Sequence, residues 1–163
     1  MRTIAWLACG LVWLHAGAAA AGVDEGEAAF ASGDFAAAER EWRPLAEAGD
    51  AKAQFRLGNL YELGGGVPED MEQAKAWYRK AAEQGHSEAT LTLGLIYADS
   101  DGQGLKQDPV LAWMLLELAR RSGESLAVFR QNLIADALTP AQRAEAERLA
   151  AEWKPGTPLP AER

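Results

Sequence analysis

Apolar and polar residues follow a helical pattern along this chain. No segment alternates apolar and polar side chains over the length of a strand; alanine is abundant, while valine and isoleucine are scarce. Aspartate or threonine precedes several apolar stretches and glycine follows most of them, as N-caps and C-terminal stops do. The pattern therefore predicts a series of short helices and no sheet.

Caps and stops give the limits of the predicted helices. These are residues 24–31, 34–48, 51–63, 70–84, 87–98, 108–122, 124–137 and 139–153. Pro44 lies inside the second helix and removes a backbone hydrogen bond there, so a kink is expected near Trp42. Residues 154–163 contain three prolines and are predicted to form a disordered tail.

The predicted helices repeat in sequence, first after 36 and then after 38 residues (positions 34, 70 and 108). The repeat has an aspartate column, a glycine column, and a Leu-Gly pair followed by tyrosine. The members are Asp34, Asp70, Asp108; Gly49, Gly85, Gly123; and Leu57, Gly58, Tyr61 against Leu93, Gly94, Tyr97. Such a period is typical of arrays in which each unit buries its apolar face against its neighbours.

Each column has a physical reason. Gly58 and Gly94 allow two helices to approach where a side chain would hold them apart. Tyr61 and Tyr97 fill the space between units, and each hydroxyl needs a hydrogen-bond partner. Glycines in the loops supply the positive φ values that a tight reversal requires. The columns thus predict stacked helix hairpins.

Taken together, the columns closely resemble the Sel-one-like repeat (SLR) family, a relative of the tetratricopeptide repeat. The residues that carry the resemblance in the first full unit are Ala53, Leu57, Gly58, Tyr61, Gly64, Gly66, Asp70, Ala74, Trp77, Tyr78, Ala81 and Gly85. The resemblance divides the chain into a half repeat (30–49), two repeats (50–85 and 86–123) and a C-terminal cap (124–153), where Gln131 and Asn132 replace Leu-Gly. It implies an all-α solenoid of antiparallel helix hairpins over residues 22–153, with a C-terminal capping helix.

The first residues have the layout of a secretory signal peptide. Arg2 precedes an apolar stretch over residues 4–14, and small residues with Ala-x-Ala spacing lie at 16–21. The apolar stretch is shorter than the roughly 20 residues that span a bilayer. We expect a signal peptide over residues 1–21, cleavage after Ala20 or Ala21, and a periplasmic or secreted protein without stable membrane insertion. The lone Cys9 would leave with it.

Charge limits the classes of partner. The whole chain has a formal charge of −8, and loss of Arg2 would leave 15 basic and 24 acidic residues. An acidic surface is repelled by phosphate backbones and by anionic membranes, so nucleic acid is not an expected partner. A basic protein or peptide is favoured instead, and no cofactor is expected.

The resemblance places the first helix of each hairpin on a concave face. The inward positions of these helices, called the groove residues below, are Lys52, Phe55, Asn59, Glu62, Glu88, Leu91, Leu95 and Phe129, with Leu133 beside them. The column of Phe55, Leu91 and Phe129 is apolar throughout, which suits an amphipathic helix or an extended peptide. The alternative is that these three side chains simply pack in the core.

Sites for metal or catalysis are weakly indicated. Asp99, Asp101 and Gln103 match the first ligand positions of a calcium-binding loop, but Val110 stands where a bidentate glutamate is required, so a solvated turn is the alternative. His86 cannot form a metal site alone, and no serine or cysteine constellation accompanies it.

The sequence thus favours a non-enzymatic scaffold that binds a partner peptide or helix in its concave groove. A small cell-envelope hydrolase that acts on cell-wall material through a carboxylate pair is the alternative. A structural subunit that packs against identical copies is a third hypothesis, and the oligomeric state stays open.

Overall fold

The computed structural model describes residues 22–98 and 108–162, so the predicted signal peptide lies outside the described residues. All regular structure in these two ranges is helical. The helices are α1 (22–31), α2 (Phe35–Glu47), α3 (Ala51–Leu63), α4 (Met71–Glu83), α5 (Ser87–Ala98), α6 (Pro109–Arg121), α7 (Ser125–Ile134) and α8 (Pro140–Glu152), with a 3-10 turn at Ala135–Ala137. None of the described helices is long and apolar enough to cross a membrane.

Polar caps begin the helices where the sequence predicts them. The carboxylate of Asp34 accepts a hydrogen bond from Ala37 N at 2.9 Å, and that of Asp108 accepts one from Leu111 N at 2.9 Å. Thr139 forms a capping box with Gln142 at the start of α8. The all-α prediction is confirmed for the described residues. Because these caps fix the starts of helices and glycines follow several of their ends, most of the predicted limits hold to within two residues.

The chain divides after Asp70 into two compact units. In the first unit, α2 packs against α3, and α1 contributes the main-chain oxygen of Val23 to the buried indole of Trp42, 3.1 Å from Nε1. The loop after α3 returns to the start of α2, where a Cβ on Gly66 would lie 2.7 Å from the Phe35 carbonyl carbon. Helix α2 continues through Pro44, and the kink stays a prediction.

The second unit is built around the hairpin of α5 and α6. Helix α6 buries a continuous run of side chains from Val110 to Leu116. Gly94 of α5 faces this run, and a Cβ there would lie 3.2 Å from Leu115 Cβ and from Leu116 Cδ2. The predicted role of this glycine, close approach of two helices, is confirmed.

The last two helices do not form such a hairpin. Both α7 and α8 pack on α6, with at most slight contact between each other. Asn132 occupies in α7 the column that Gly94 occupies in α5, and it is exposed beside the open space between α7 and α8. Helix α7 also ends at Ile134, before a 3-10 turn, and not at Ala137 as predicted. The C-terminal cap thus departs from the repeat geometry.

Residues 154–162 do not form a disordered tail in this structure. They run back to α4, and Leu159 is only 5% exposed. The main-chain N–H of Gly156 donates to the carbonyl oxygen of Glu83 at 2.7 Å. The prediction of disorder rested on the prolines alone, and it could not include partners that lie more than 70 residues away in sequence.

Candidate binding surfaces

The groove residues of the first unit lie on α3, and α1 covers part of this surface. Lys52 Nζ lies 2.9 Å from Glu27 Oε1, and Arg56 Nη2 lies 3.1 Å from the same oxygen. The hydrogen bond from Lys52, reinforced by Arg56, lowers the pKa of Glu27 despite its partial burial. Phe55 is buried, as the core alternative has it, while Asn59 and Glu62 are half-buried.

The groove residues of the second unit lie on α5 and α7. Leu91 and Leu95 of α5 are half-buried and pack against a buried cluster of α6 and α7 that includes Ala127. Glu88 is exposed at the start of α5, and Phe129 is 59% exposed on α7. The apolar column is therefore buried at Phe55, half-buried at Leu91 and exposed at Phe129.

Helix α7 exposes an apolar face, here called the α7 stripe, which consists of Leu126, Phe129 and Leu133. These side chains are 45%, 59% and 59% exposed, and their spacing of three and four residues places them on one side of the helix. Phe129 and Leu133 occupy in α7 the columns of Leu91 and Leu95 in α5. In α5 the side chains in these columns are half-buried against α6 and α7, whereas in α7 they are exposed to solvent.

A further constellation, which the sequence did not indicate, holds residues 156–162 against α4 and α5. It is called the tail site and consists of Lys75, Arg79, Glu83 and Tyr97. Glu83 Oε1 accepts a hydrogen bond from Leu159 N at 2.9 Å, and Arg79 Nη2 donates to the carbonyl oxygens of Leu159 and Pro160. Two charged side chains of α4 therefore bind the backbone of the tail.

The Glu162 carboxylate binds at the end of the tail site. It accepts a hydrogen bond from the Tyr97 hydroxyl at 2.6 Å and lies 3.2 Å from Lys75 Nζ. Burial, with the bond to Glu162, raises the pKa of Tyr97. Burial alone would raise the pKa of Glu162, but its bonds to Tyr97 and Lys75 outweigh burial and lower it. The sequence predicts only that the Tyr97 hydroxyl needs a partner, and that partner is Glu162.

The divergence of α7 from α8 leaves a cavity of about 450 Å³ beside α6. Glu117 lies in it and accepts hydrogen bonds from Arg120 at 2.7 Å and from Arg121 at 2.9 Å. These bonds, Arg120 first, lower the pKa of Glu117 to about 2. The Arg143 guanidinium lies 4.4 Å from the ring centroid of Trp113. The charged side chains that line this cavity pair with one another, which indicates a structural ion-pair network.

The structure gives no support to the candidate metal and catalytic residues. The suggested calcium ligands Asp99, Asp101 and Gln103 lie outside the described residues. Among the residues that the structure describes, no group of three or more His, Cys, Asp or Glu side chains could hold a metal ion. His86 Nδ1 accepts a hydrogen bond from Ala89 N at 3.3 Å, so this side chain caps the start of α5.

Comparison with known proteins identifies two repeats of one family in the chain, and the second covers the hairpin of α5 and α6. Residues 51–86 and 87–124 match the Sel1 (Sel-one-like) repeat. No match was found among curated proteins. Similar solved structures include c5321, a protective antigen of uropathogenic Escherichia coli strains with an SLR fold (35% identity, TM-score 0.75, 83% of this chain and 29% of that chain).

A Sel1 repeat protein from Oxalobacter formigenes is also similar, with 31% identity, a TM-score of 0.58, and coverage of 72% of this chain and 49% of that chain. The chain thus spans less than a third of the first relative and about half of the second. Sel1 repeats generally mediate protein–protein interaction, and their fold is typically a non-catalytic scaffold. The chain contains two of these repeats and is a Sel1-like repeat protein.

Proposed function

We propose that this protein is a non-enzymatic, periplasmic or secreted scaffold that binds an amphipathic helix of a partner protein along α5 and α7. The α7 stripe is the observation that carries this proposal. Its exposed leucine and phenylalanine side chains continue the columns of Leu91 and Leu95, which are half-buried against the cluster of α6 and α7. A partner helix on α7 would make the same kind of contact once more.

The chemistry of the partner follows from this surface. Phe129 supplies a large apolar anchor, the kind of residue that carries much of the energy of an interface. The chain has a formal charge of −8, and Glu88 is exposed at the start of α5. A helix with one apolar face and basic flanks fits both features, and its encounter with the scaffold would be faster at low salt.

The first unit has a different part in this proposal. Because Lys52 is bound by Glu27, it contributes to the packing of α1 and offers little to a partner. Asn59 and Glu62 remain predicted groove residues, and Phe55 on the same helix is buried. The proposal therefore concentrates the contact on Phe129 and Leu133, with the half-buried Leu91 and Leu95 at its edge.

Photocrosslinking tests the proposed surface. A photoreactive amino acid at 129 or 133 should crosslink one partner in cells, and the same group at 128 serves as the matched control, because Val128 is 46% exposed on another side of α7. With the purified partner, Phe129→Ser should weaken binding at least tenfold, the loss expected of an interface anchor. Equal crosslinking from all three positions, or unchanged affinity of Phe129→Ser, would exclude this surface.

Export is tested separately. The full chain, expressed in a Gram-negative host, should be recovered from the periplasm or medium with a mass that corresponds to cleavage after Ala20 or Ala21. A chain of full mass in the cytoplasm would contradict the proposed location and would leave the binding surface unaffected.

A further inference from the structure

We propose that the tail site is a second peptide-binding site, which accepts from a partner protein an extended, proline-containing segment with a leucine and, three residues later, a carboxylate. Residues 156–162 of the chain are its intramolecular ligand: they contain Leu159 between two prolines, and Glu162. The site lies on α4 and at the end of α5, so it is separate from the α7 stripe and does not depend on the function proposed above.

Backbone recognition is the first part of the inference. Glu83 accepts two hydrogen bonds from the tail, one at its carbonyl oxygen from Gly156 N (2.7 Å) and one at Oε1 from Leu159 N (2.9 Å). Arg79 donates to two successive carbonyl oxygens of the tail. Any extended segment can make the contacts of Leu159 and Pro160, and prolines hold such a segment extended at low entropic cost, whereas Gly156 lies in a turn at φ 89°.

Side-chain recognition supplies selectivity. Leu159 is 5% exposed although both neighbours are prolines, so the site buries one apolar side chain of the ligand. Three residues later, the Glu162 carboxylate meets the Tyr97 hydroxyl and Lys75 Nζ. With the tail bound, the side chain of Lys75 is only 9% exposed and lies 3.2 Å from Glu162 and 3.0 Å from Glu72, so its pairing with the tail carboxylate is stronger than that of a fully exposed lysine. A leucine and a carboxylate at this spacing thus define the ligand.

The tail competes with a partner for this site. A short tether supplies its segment at an effective concentration of about millimolar, so a free peptide with a dissociation constant of tens of micromolar is largely excluded. The apparent affinity of the partner falls by the fraction of molecules whose site is open. A change that weakens the tail should therefore strengthen binding of the partner peptide.

Fluorescence anisotropy with a labelled peptide of residues 154–163 tests this in the full-length chain. The tail-weakened double variant Leu159→Ala/Glu162→Gln should bind the peptide at least tenfold more tightly than the wild type. Addition of Arg79→Ala to the double variant should reverse the gain, whereas Arg148→Ala, which removes an exposed arginine paired within α8, should leave it intact. Peptides with either tail substitution should bind at least fivefold more weakly.

Several results would overturn the proposal. These are equal affinity of the double variant and the wild type, no effect of Arg79→Ala, or no effect of the leucine and glutamate of the peptide. Circular dichroism checks that each variant folds. The milder Glu162→Gln variant should alone bind the peptide two- to fivefold more tightly than the wild type. A concentration-dependent dimer in light scattering would assign the site to the tail of a second copy instead. Phe129→Ser should not alter peptide binding, so this result is independent of the α7 stripe.

Discussion

Gly26 of α1 packs directly against the indole of Trp42. A Cβ at position 26 would lie 2.2 Å from Nε1 and 2.6 Å from Cδ1 of that ring. Trp42 is 1% exposed, and its Nε1 donates to Val23 O, so the ring has little room to move without loss of a hydrogen bond. The absence of one methyl group thus decides how α1 docks on α2.

Gly26→Ala should lower the free energy of unfolding by about 2 kcal/mol, because the overpacked indole must shift and alanine regains only part of the loss through its helix propensity. Urea denaturation followed by tryptophan fluorescence measures the effect. Glu25→Ala changes an exposed neighbour and should stay within about 0.5 kcal/mol of the wild type. Equal stability of Gly26→Ala would contradict the described packing.

The lowered pKa of Glu117 makes the folded state less stable at acidic pH. Its pKa is about 2 in the folded chain, against an ordinary value of 4.5, chiefly because Arg120 donates to it. A lowered pKa stabilises the folded state above pH 4.5, and this contribution is lost as the pH falls from about 4.5 toward 2. Glu117→Gln should therefore show a shallower loss of unfolding free energy between about pH 5 and pH 2. Parallel pH profiles of the two proteins would rule out this role.

A buried N-cap residue contributes more to the free energy of unfolding than an exposed one. Asp108 is 3% exposed and caps α6, whereas Asp34 caps α2 at an exposed position. In Asp108→Ala, the N–H of Leu111 would lose its partner in a buried place, so a cost of about 2 kcal/mol is expected. Asp34→Ala should cost about 1 kcal/mol, since water can replace the carboxylate. Guanidinium unfolding measures the free energy that each variant loses. Asp108→Asn should retain most of the stability. A larger loss for Asp34→Ala than for Asp108→Ala would contradict this expectation.

Element limits followed from the sequence because caps and stops are local. Asp34, Asp108 and Thr139 begin their helices as predicted, since each side chain needs only a backbone N–H a few residues away. The arrangement of α7 and α8 did not follow. Asn132 marked a departure from the repeat, but where α8 packs depends on α6, and no local pattern encodes that choice.

The candidate sites followed from the sequence only in part. The repeat columns led to Leu91, Leu95 and Phe129, but the burial of Phe55 and the ion pair of Lys52 with Glu27 depend on tertiary contacts. The tail site could not be predicted at all. Its contacts join residues up to 87 positions apart, and neither partner has a sequence signature of its own.

The C-terminal tail is the longest-range connection of the second unit, and hydrogen exchange can test it at single amides. The N–H of Leu159 donates to the side chain of Glu83, whereas that of Gly156 donates to the backbone carbonyl of the same residue. In the wild type both amides should exchange slowly. In Glu83→Ala, Leu159 should lose at least tenfold in protection while Gly156 keeps most of its own, because only the side-chain acceptor is gone. Fast exchange of Leu159 in the wild type would show that the tail is not docked in solution, and equal loss at both amides would show that Glu83 holds the tail as a whole.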